Sequence, residues 1–587
     1  MASLLLKFSV FFIFAVAAIA QSPAHQLPVV DLGYELHRAF SLNAFTGLYN
    51  FTNIRYAAPP LGKLRFRAPV PPASGNRSLI QNGARGRVCP QAKPLWETIA
   101  PGFLENYLTG QPFDPSLDVP TVNVSLNMKF PGLDPRITED CLFLDVVVPK
   151  KVFDGAQNKN ATSKGSLSSA LVAHNKNGTS EQRLSPVLVW LYGGGYSSGD
   201  KSGVSPAGLI RRDQQSGRDG FVFVAINYRV GAFGWLAGDG VARDGTINAG
   251  LHDQRLALEW VQTNIRLFGG DPTRVTVMGI SAGSGSLIHQ ITAYGGRKGP
   301  VPFHQAILQS PGWQPKLSRA DQQNAYREFL HMLSVKTLDQ ARNKSSAALI
   351  RANALQIAAS PYGTFTYGPT IDGDFVPRLP GQLLAGGQFD HSLNIMTSHT
   401  TNEGLMFTAP YNFYPEGLTR LLRTSLPGIL DRVIDFAVKT VYPALFDGSS
   451  PYKDAVQRAA LAVGDVVFQC NTNWVNRAFG NRTYSYLFDI PPALHWSDTM
   501  YTFYPEKGTS VSEGKVANVS VAFAIQDYIT SFVHESKPHS SIGPMFEEYG
   551  PDGRIMDLKV NNITVVKDPT QNERCDFWQP APFYGGA

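Results

Sequence analysis

The segment that most restricts the fold of this chain is Arg274-Val-Thr-Val-Met-Gly-Ile-Ser-Ala-Gly-Ser-Gly-Ser286. Its first half is a continuous β-branched and apolar run, which reads as a buried strand. Its second half, rich in small residues, reads as the start of a helix. Between them lies Gly279-Ile-Ser-Ala-Gly283, a G-x-S-x-G pattern. In a strand–turn–helix setting that pattern predicts a sharp, strained turn that pushes the Ser281 hydroxyl outward, with glycines where backbone and helix come close. A dinucleotide loop is the rival use of such glycines. Gly283-x-Gly285 lacks the third spaced glycine and the later acidic residue that such a loop needs.

The rest of the chain agrees with a strand that is buried on both faces. Runs at 142–148, 187–191, 221–227, 275–278, 306–308, 393–397 and 484–488 are largely apolar and read as strands. Helix-like segments such as 254–268 lie between them, with apolar residues at spacings of three and four. This order predicts an α/β chain with a mostly parallel sheet and helices on both faces. Residues 155–185, rich in Asn, Ser, Lys and Gly, read as an exposed, mobile insertion. No internal repeat or clean interdomain linker is visible, so residues 21–587 are expected to form a single domain with surface insertions.

At the N-terminus Lys7 precedes an apolar run over 8–17, followed by Ala18-Ile19-Ala20. This reads as a signal peptide over residues 1–20. A membrane anchor is the alternative, but the run is short for a span, and no later stretch reaches roughly 18 uncharged apolar residues. The expectation is a secreted, extracellular protein. Four cysteines, Cys89, Cys141, Cys470 and Cys575, suit two disulfides in such a compartment, with three pairings open; free buried thiols are the alternative. The absence of a CxxC pair argues against a zinc or redox site. Nine Asn-x-Ser/Thr sequons, at Asn50, Asn76, Asn123, Asn160, Asn177, Asn343, Asn481, Asn518 and Asn562, fit a glycosylated surface. The net charge of +6 is spread along the chain, without a basic stripe, so nucleic acid is not an expected partner.

A neutral serine hydroxyl needs a base, and attack on an acyl carbon creates an oxyanion that needs N–H donors. The donor candidate is the loop Trp190-Leu-Tyr-Gly-Gly-Gly-Tyr196, directly after the strand candidate 187–191. Gly194 and Gly195, with Ala282 after the serine, are the expected donors; a plain glycine turn is the alternative.

These motifs, in this order, resemble the type-B carboxylesterase family, which contains cholinesterases and some fungal lipases; the likeness leans towards the fungal members. The resemblance runs from about residue 30 to residue 578. It includes Ile54-Arg-Tyr-Ala-Ala-Pro-Pro-Leu-Gly-Lys-Leu-Arg-Phe66, Glu139-Asp-Cys-Leu-Phe-Leu-Asp145, Asn227-Tyr-Arg, Gly250-Leu-His-Asp-Gln254 and Phe268-Gly-Gly-Asp-Pro272. It implies an α/β-hydrolase fold and an ester hydrolase working through an acyl-enzyme. It assigns the acid to Glu403 in Thr401-Asn-Glu-Gly404 and the base to His495 in Ala493-Leu-His-Trp-Ser-Asp-Thr-Met-Tyr-Thr-Phe503. It also implies the pairs Cys89–Cys141 and Cys470–Cys575, each stabilising by roughly 4–5 kcal/mol in the chain-entropy picture, and a buried Arg65–Glu139 ion pair. Asp498 is a rival acid, read as local support because it lies so close to His495. Of the other histidines, His399 reads as a solvated loop residue, with a group supporting the nearby Glu403 as the alternative, His289 as structural and His534 as surface.

Two departures matter. Ile280 stands where the family usually has Glu, which disfavours a cationic alcohol. Trp96 follows Cys89 too closely to be given the choline-stacking role. The expected substrate is a small neutral ester with an apolar acyl group, and the chain supplies the whole reactive set, so no metal or organic cofactor is expected. Leu95, Trp96, Ile99, Phe103, Leu104 and Tyr107 form either a fixed wall, the favoured reading, or an amphipathic lid. The lid would make the protein a lipase or sterol esterase acting at a lipid interface. The remaining alternative is a non-catalytic adhesion protein on the same fold.

Overall fold

The computed structural model describes residues 27–75, 77–117, 134–163, 184–315, 319–505 and 516–581. Its centre is an eleven-stranded sheet. The strands are β1 (Ser41–Asn43), β2 (Leu48–Arg55), β3 (Phe143–Pro149), β4 (Ser185–Leu191), β5 (Val222–Ile226), β6 (Gly270–Ile280), β7 (Gln305–Gln309), β8 (Asn394–Thr400), β9 (Tyr484–Phe488), β10 (Arg554–Leu558) and β11 (Ile563–Lys567). Their spatial order is β11-β10-β9-β8-β7-β6-β4-β5-β3-β2-β1. From β10 through β5 neighbouring strands are parallel. Antiparallel pairs close both edges, β10 with β11 on one side and β5, β3, β2 and β1 on the other. A separate three-stranded sheet is formed by Val29–Asp31, Leu36–Arg38 and Ile80–Gln81.

The continuous apolar strands have a direct explanation. Every residue of β4, β5 and β7 is buried. Successive side chains of a strand point to opposite faces. Val187, Val189 and Leu191 enter one core cluster with Val222, Val224 and Val277. Leu188 and Trp190 enter the other with Phe223, Ala225 and Met278. Two helices, α1 (Ala249–Asn264) and α2 (Ala282–Ile291), contribute Leu251, Leu258, Leu287 and Ile288 to the first cluster. Helix α3 (Val519–Glu535) contributes Ile525, Ile529 and Phe532 to the second. The sheet is thus covered on both faces, as expected for parallel strands.

Element ends differ from the sequence reading. The helix expected over 254–268 begins earlier, at Ala249, and its last turn is the tighter 3₁₀ segment Ile265–Phe268. The strand expected over 275–278 extends from Gly270 to Ile280, because it pairs along its length with β4. The expected insertion begins inside a helix, Lys150–Ser163. Phe153 anchors that helix against Tyr49 and Phe51, and Gln157 donates to Leu267 O at 2.8 Å. The remainder of the insertion up to residue 183, and the N-terminal leader, lie outside the described residues.

Candidate active site

Strand β6 ends at Ile280 and helix α2 begins at Ala282, so Ser281 alone makes the turn, with φ 55° and ψ −126°. For a serine this left-handed backbone costs on the order of 1–3 kcal/mol. It is held by Ser281 N–H donating to Gln309 O at 3.1 Å and by Ser281 O accepting from the N–H groups of Gly285 (2.8 Å) and Gly312 (3.1 Å). Helix α2 can begin there because a Cβ on Gly283 would lie 2.3 Å from Leu191 O; only glycine lets the helix sit on β4 this closely.

His495 Nε2 is 2.8 Å from Ser281 Oγ, and His495 Nδ1 is 2.5 Å from Glu403 Oε2. Glu403 comes from the turn after β8, His495 from the loop after β9, and Ser281 from the end of β6, so the ends of three parallel strands supply the set. Glu403 Oε1 accepts from Thr400 N–H at 2.7 Å. Burial by itself would raise the Glu403 pKa. The imidazole beside it and the Thr400 N–H outweigh that and hold it below the ordinary carboxylate range. Phe468 and Phe407 pack on the imidazole, with ring centroids at 4.3 and 5.3 Å.

Asp498, the rival acid, makes no hydrogen bond to His495 among the described residues. Its Oδ2 accepts from Tyr486 OH (2.9 Å), Gln309 Nε2 (3.3 Å) and Ser398 Oγ (3.4 Å). It is fully buried; desolvation, reinforced by the nearby Glu403 charge, pushes its pKa up to about 6.

Among the described residues the N–H groups of Gly194, Gly195 and Ala282 have no acceptor within the chain, while the carbonyl of Gly194 is tied to the N–H groups of Ser197 and Ser198 at 3.0 Å each. Ser281, Ala282 and Gly195 border a cleft whose other walls include Trp313, Phe365, Phe407 and Phe468. These walls are aromatic and come from distant segments; no sequence pattern pointed to them. Trp96, which the sequence placed in a wall or lid and not in a choline site, is buried, packing on Tyr362, Phe365 and Phe407 and donating to Thr364 O at 2.8 Å. Phe103 and Leu104 are also buried, against Leu405, Val456 and Ala460. Ile280 is buried beside the serine, so no carboxylate stands at that position.

The cysteines pair Cys89–Cys141 and Cys470–Cys575. Among the described residues one group, Asp465 with Cys470 and Cys575, has metal-ligand spacing. Its sulfurs are bonded to each other, and Asp465 already accepts from Tyr442 and Arg574 at 2.8 Å each, so no ligand set remains. Arg65 meets Glu139 through two hydrogen bonds, at 2.9 and 2.7 Å. His289 is buried, bonded to Gly285 O at 2.8 Å, and loses its charge readily, burial lowering its pKa to about 4.

Two histidine assignments from the sequence need correction. His399 is fully buried, because β8 continues to Thr400 and carries it inside, where it meets Thr472 Oγ1 at 3.3 Å. His534 is bonded to the buried Asp213 at 3.0 Å. Among the sequons Asn343 and Asn562 are exposed, while Asn50, Asn481 and Asn518 are half-buried. Asn518 also caps α3. Asn76, Asn123 and Asn177, and the side chain of Asn160, lie outside the described residues.

Comparison with known proteins matches residues 38–578 to the Carboxylesterase family. The chain is 41% identical to carboxylesterase patB of Aspergillus clavatus over 96% of its own length and 97% of the relative's. It is 29% identical to Lipase 1 of Geotrichum candidum, over 87% and 88% of the two chains. The crystal structure of Aspergillus niger EstA shares the fold, with a TM-score of 0.74 at 24% identity, covering 95% of this chain and 99% of that one. The chain therefore belongs to the carboxylesterase family and is a carboxylic-ester hydrolase of the α/β-hydrolase fold.

Proposed function

We propose that hydrolysis runs through an acyl-enzyme on Ser281, with His495 as the base and Glu403 as the residue that orients it. The supporting observation is the unbroken hydrogen-bonded line from Ser281 Oγ through both nitrogens of His495 to Glu403. His495 Nε2 takes the hydroxyl proton as Oγ attacks the ester carbon. The carbonyl oxygen gains negative charge and is received by the N–H groups of Gly194, Gly195 and Ala282. His495 then gives its proton to the leaving alkoxy group. Water, activated by the same imidazole, releases the acid and restores Ser281. Glu403 keeps its charge throughout, fixing the tautomer and stabilising the imidazolium.

The apolar cleft favours a neutral ester with an apolar acyl group, and the chain provides nucleophile, base and oxyanion donors itself. Residues 21–587 would act as one catalytic domain, delivered outside the cell by residues 1–20. Support for secretion comes from the two disulfides and from a relative in Arthroderma benhamiae named a secreted lipase. Among the described residues no helix is long and apolar enough to cross a membrane. A lipase reading has support in the Geotrichum relative. The burial of Trp96, Phe103 and Leu104 instead favours a fixed wall.

Hydrolysis of p-nitrophenyl esters from acetyl to palmitoyl, with Ser281→Ala as control, tests the reading. A peak at short chains with no rise above substrate solubility is expected. A peak at long chains that rises at an interface would replace it with the lipase reading. Wild type no faster than Ser281→Ala on every ester would remove both.

A further inference from the structure

Trp496 directly follows His495 and has φ 82°, the largest value among the non-glycine residues of positive φ in the described chain. Glycine takes such a backbone freely, whereas a bulky side chain does not. Strain of this kind persists where the surroundings hold a side chain in a place that matters. Here the place is beside Ser281. A Cβ added to Gly193 would lie 2.7 Å from indole Cζ3 of Trp496 and 2.8 Å from Ser281 Cβ. The indole edge therefore closes over the strip of backbone between the oxyanion loop and the serine. Its ring centroid is 6.5 Å from that of His495, edge to face. The side chain is not sealed in, since Trp496 remains 38% exposed.

Ester chemistry separates two flanks of the serine. The acyl group stays bonded to Ser281 after the first step and needs an enclosed site. The aromatic cleft beside Gly195 and Ala282 provides one, and Trp496 is not among the residues lining it. The alcohol has to leave past His495 Nε2, which protonates it. Phe407 and Phe468 border His495 on the cleft side, and Trp496 borders it on the Gly193 side, the side left for the alcohol.

We propose that Trp496 is the specificity-determining residue for the alcohol half of the ester: its indole walls the leaving-group side and admits slender or flat alcohols while rejecting branched or saturated-ring ones. This rests on the acyl-enzyme reading above.

The test uses esters with one acyl group and different alcohols, methyl butyrate and cyclohexyl butyrate, alongside an acyl series on one alcohol, p-nitrophenyl butyrate and octanoate. Trp496→Gly relieves the backbone strain as well as removing the wall. It is expected to raise the cyclohexyl-to-methyl ratio of kcat/KM by about tenfold or more, while the octanoate-to-butyrate ratio stays within about twofold. Trp496→Phe, which keeps a ring at the site, is expected to shift the alcohol ratio the same way by less, and serves if the glycine variant folds poorly. An unchanged alcohol ratio in both variants, or a shift as large along the acyl series, overturns the proposal. Wild type inactive on every ester, by contrast, would overturn the acyl-enzyme reading, and this proposal with it.

Discussion

Two carboxylates lie near His495, both buried, and they behave in opposite ways. Glu403, at the end of β8, faces His495 Nδ1 and the Thr400 N–H and is held below the ordinary carboxylate pKa. Asp498, in the loop after β9, faces neutral donors, Tyr486, Gln309 and Ser398, with its second oxygen lacking a partner, and is pushed up to about 6. Burial is common to both, so burial does not decide which is the acid of the set. The partner does. On the proposed mechanism, a cation formed at His495 during turnover would be stabilised by the carboxylate in contact with it and already charged, whereas Asp498, hydrogen-bonded to neutral groups, would support the loop.

The largest effect should separate the two directly. Glu403→Gln is expected to fold and to lower kcat by on the order of a thousandfold or more, whereas Asp498→Asn is expected to stay within about tenfold of wild type. Steady-state rates on p-nitrophenyl butyrate measure both, and a reversed order would break the comparison.

The next effect is on stability. In the unfolded chain Asp498 has its ordinary pKa, near 3.8, and in the folded chain about 6. Well below pH 3.8 both states hold the proton and nothing is lost. As pH rises from about 4 to 6 the unfolded state gives it up first, so folding stability falls, by roughly 3 kcal/mol by pH 7. Glu403, with its lowered pKa, acts in the other sense: its contribution is present at neutral pH and is lost only as pH falls through its folded value. Urea unfolding of wild type and Asp498→Asn at pH 4 and pH 7 should show the variant lacking most of that loss. An identical pH dependence in the two proteins would show that Asp498 is ordinarily charged in the folded state.

The smallest effect sharpens the picture of Asp498's surroundings. Tyr486→Phe removes one donor from its carboxylate and should cost about 1–2 kcal/mol and move the pH dependence of stability upward. The alkaline shift in urea midpoints is the readout, with kcat expected within about threefold.

The sequence made the elbow legible because local chemistry sets it: an apolar strand, a small-residue helix start and a serine between glycines. Glu403 and His495 were legible only through the family resemblance, since nothing in their spacing brings together residues 92 apart in the chain. His399 was misread for a physical reason. The last residues of β8, Ser398-His399-Thr400, are polar and look like a loop, yet they pair with β9 and are fully enclosed. The cleft walls Phe365, Phe407 and Phe468 meet by tertiary packing alone. Trp496 stood in the quoted histidine segment, but its backbone conformation is a property of the folded loop that residue identity does not reveal.

The central claim is that Ser281 carries the acyl group, and covalent trapping tests it most directly. Wild-type protein treated with an organophosphonate should lose activity in proportion to labelling, with one equivalent found by peptide mass spectrometry on Ser281, and Ser281→Ala should take up none. Full activity with Ser281 labelled, or stoichiometric labelling of another residue that tracks the loss, would contradict it.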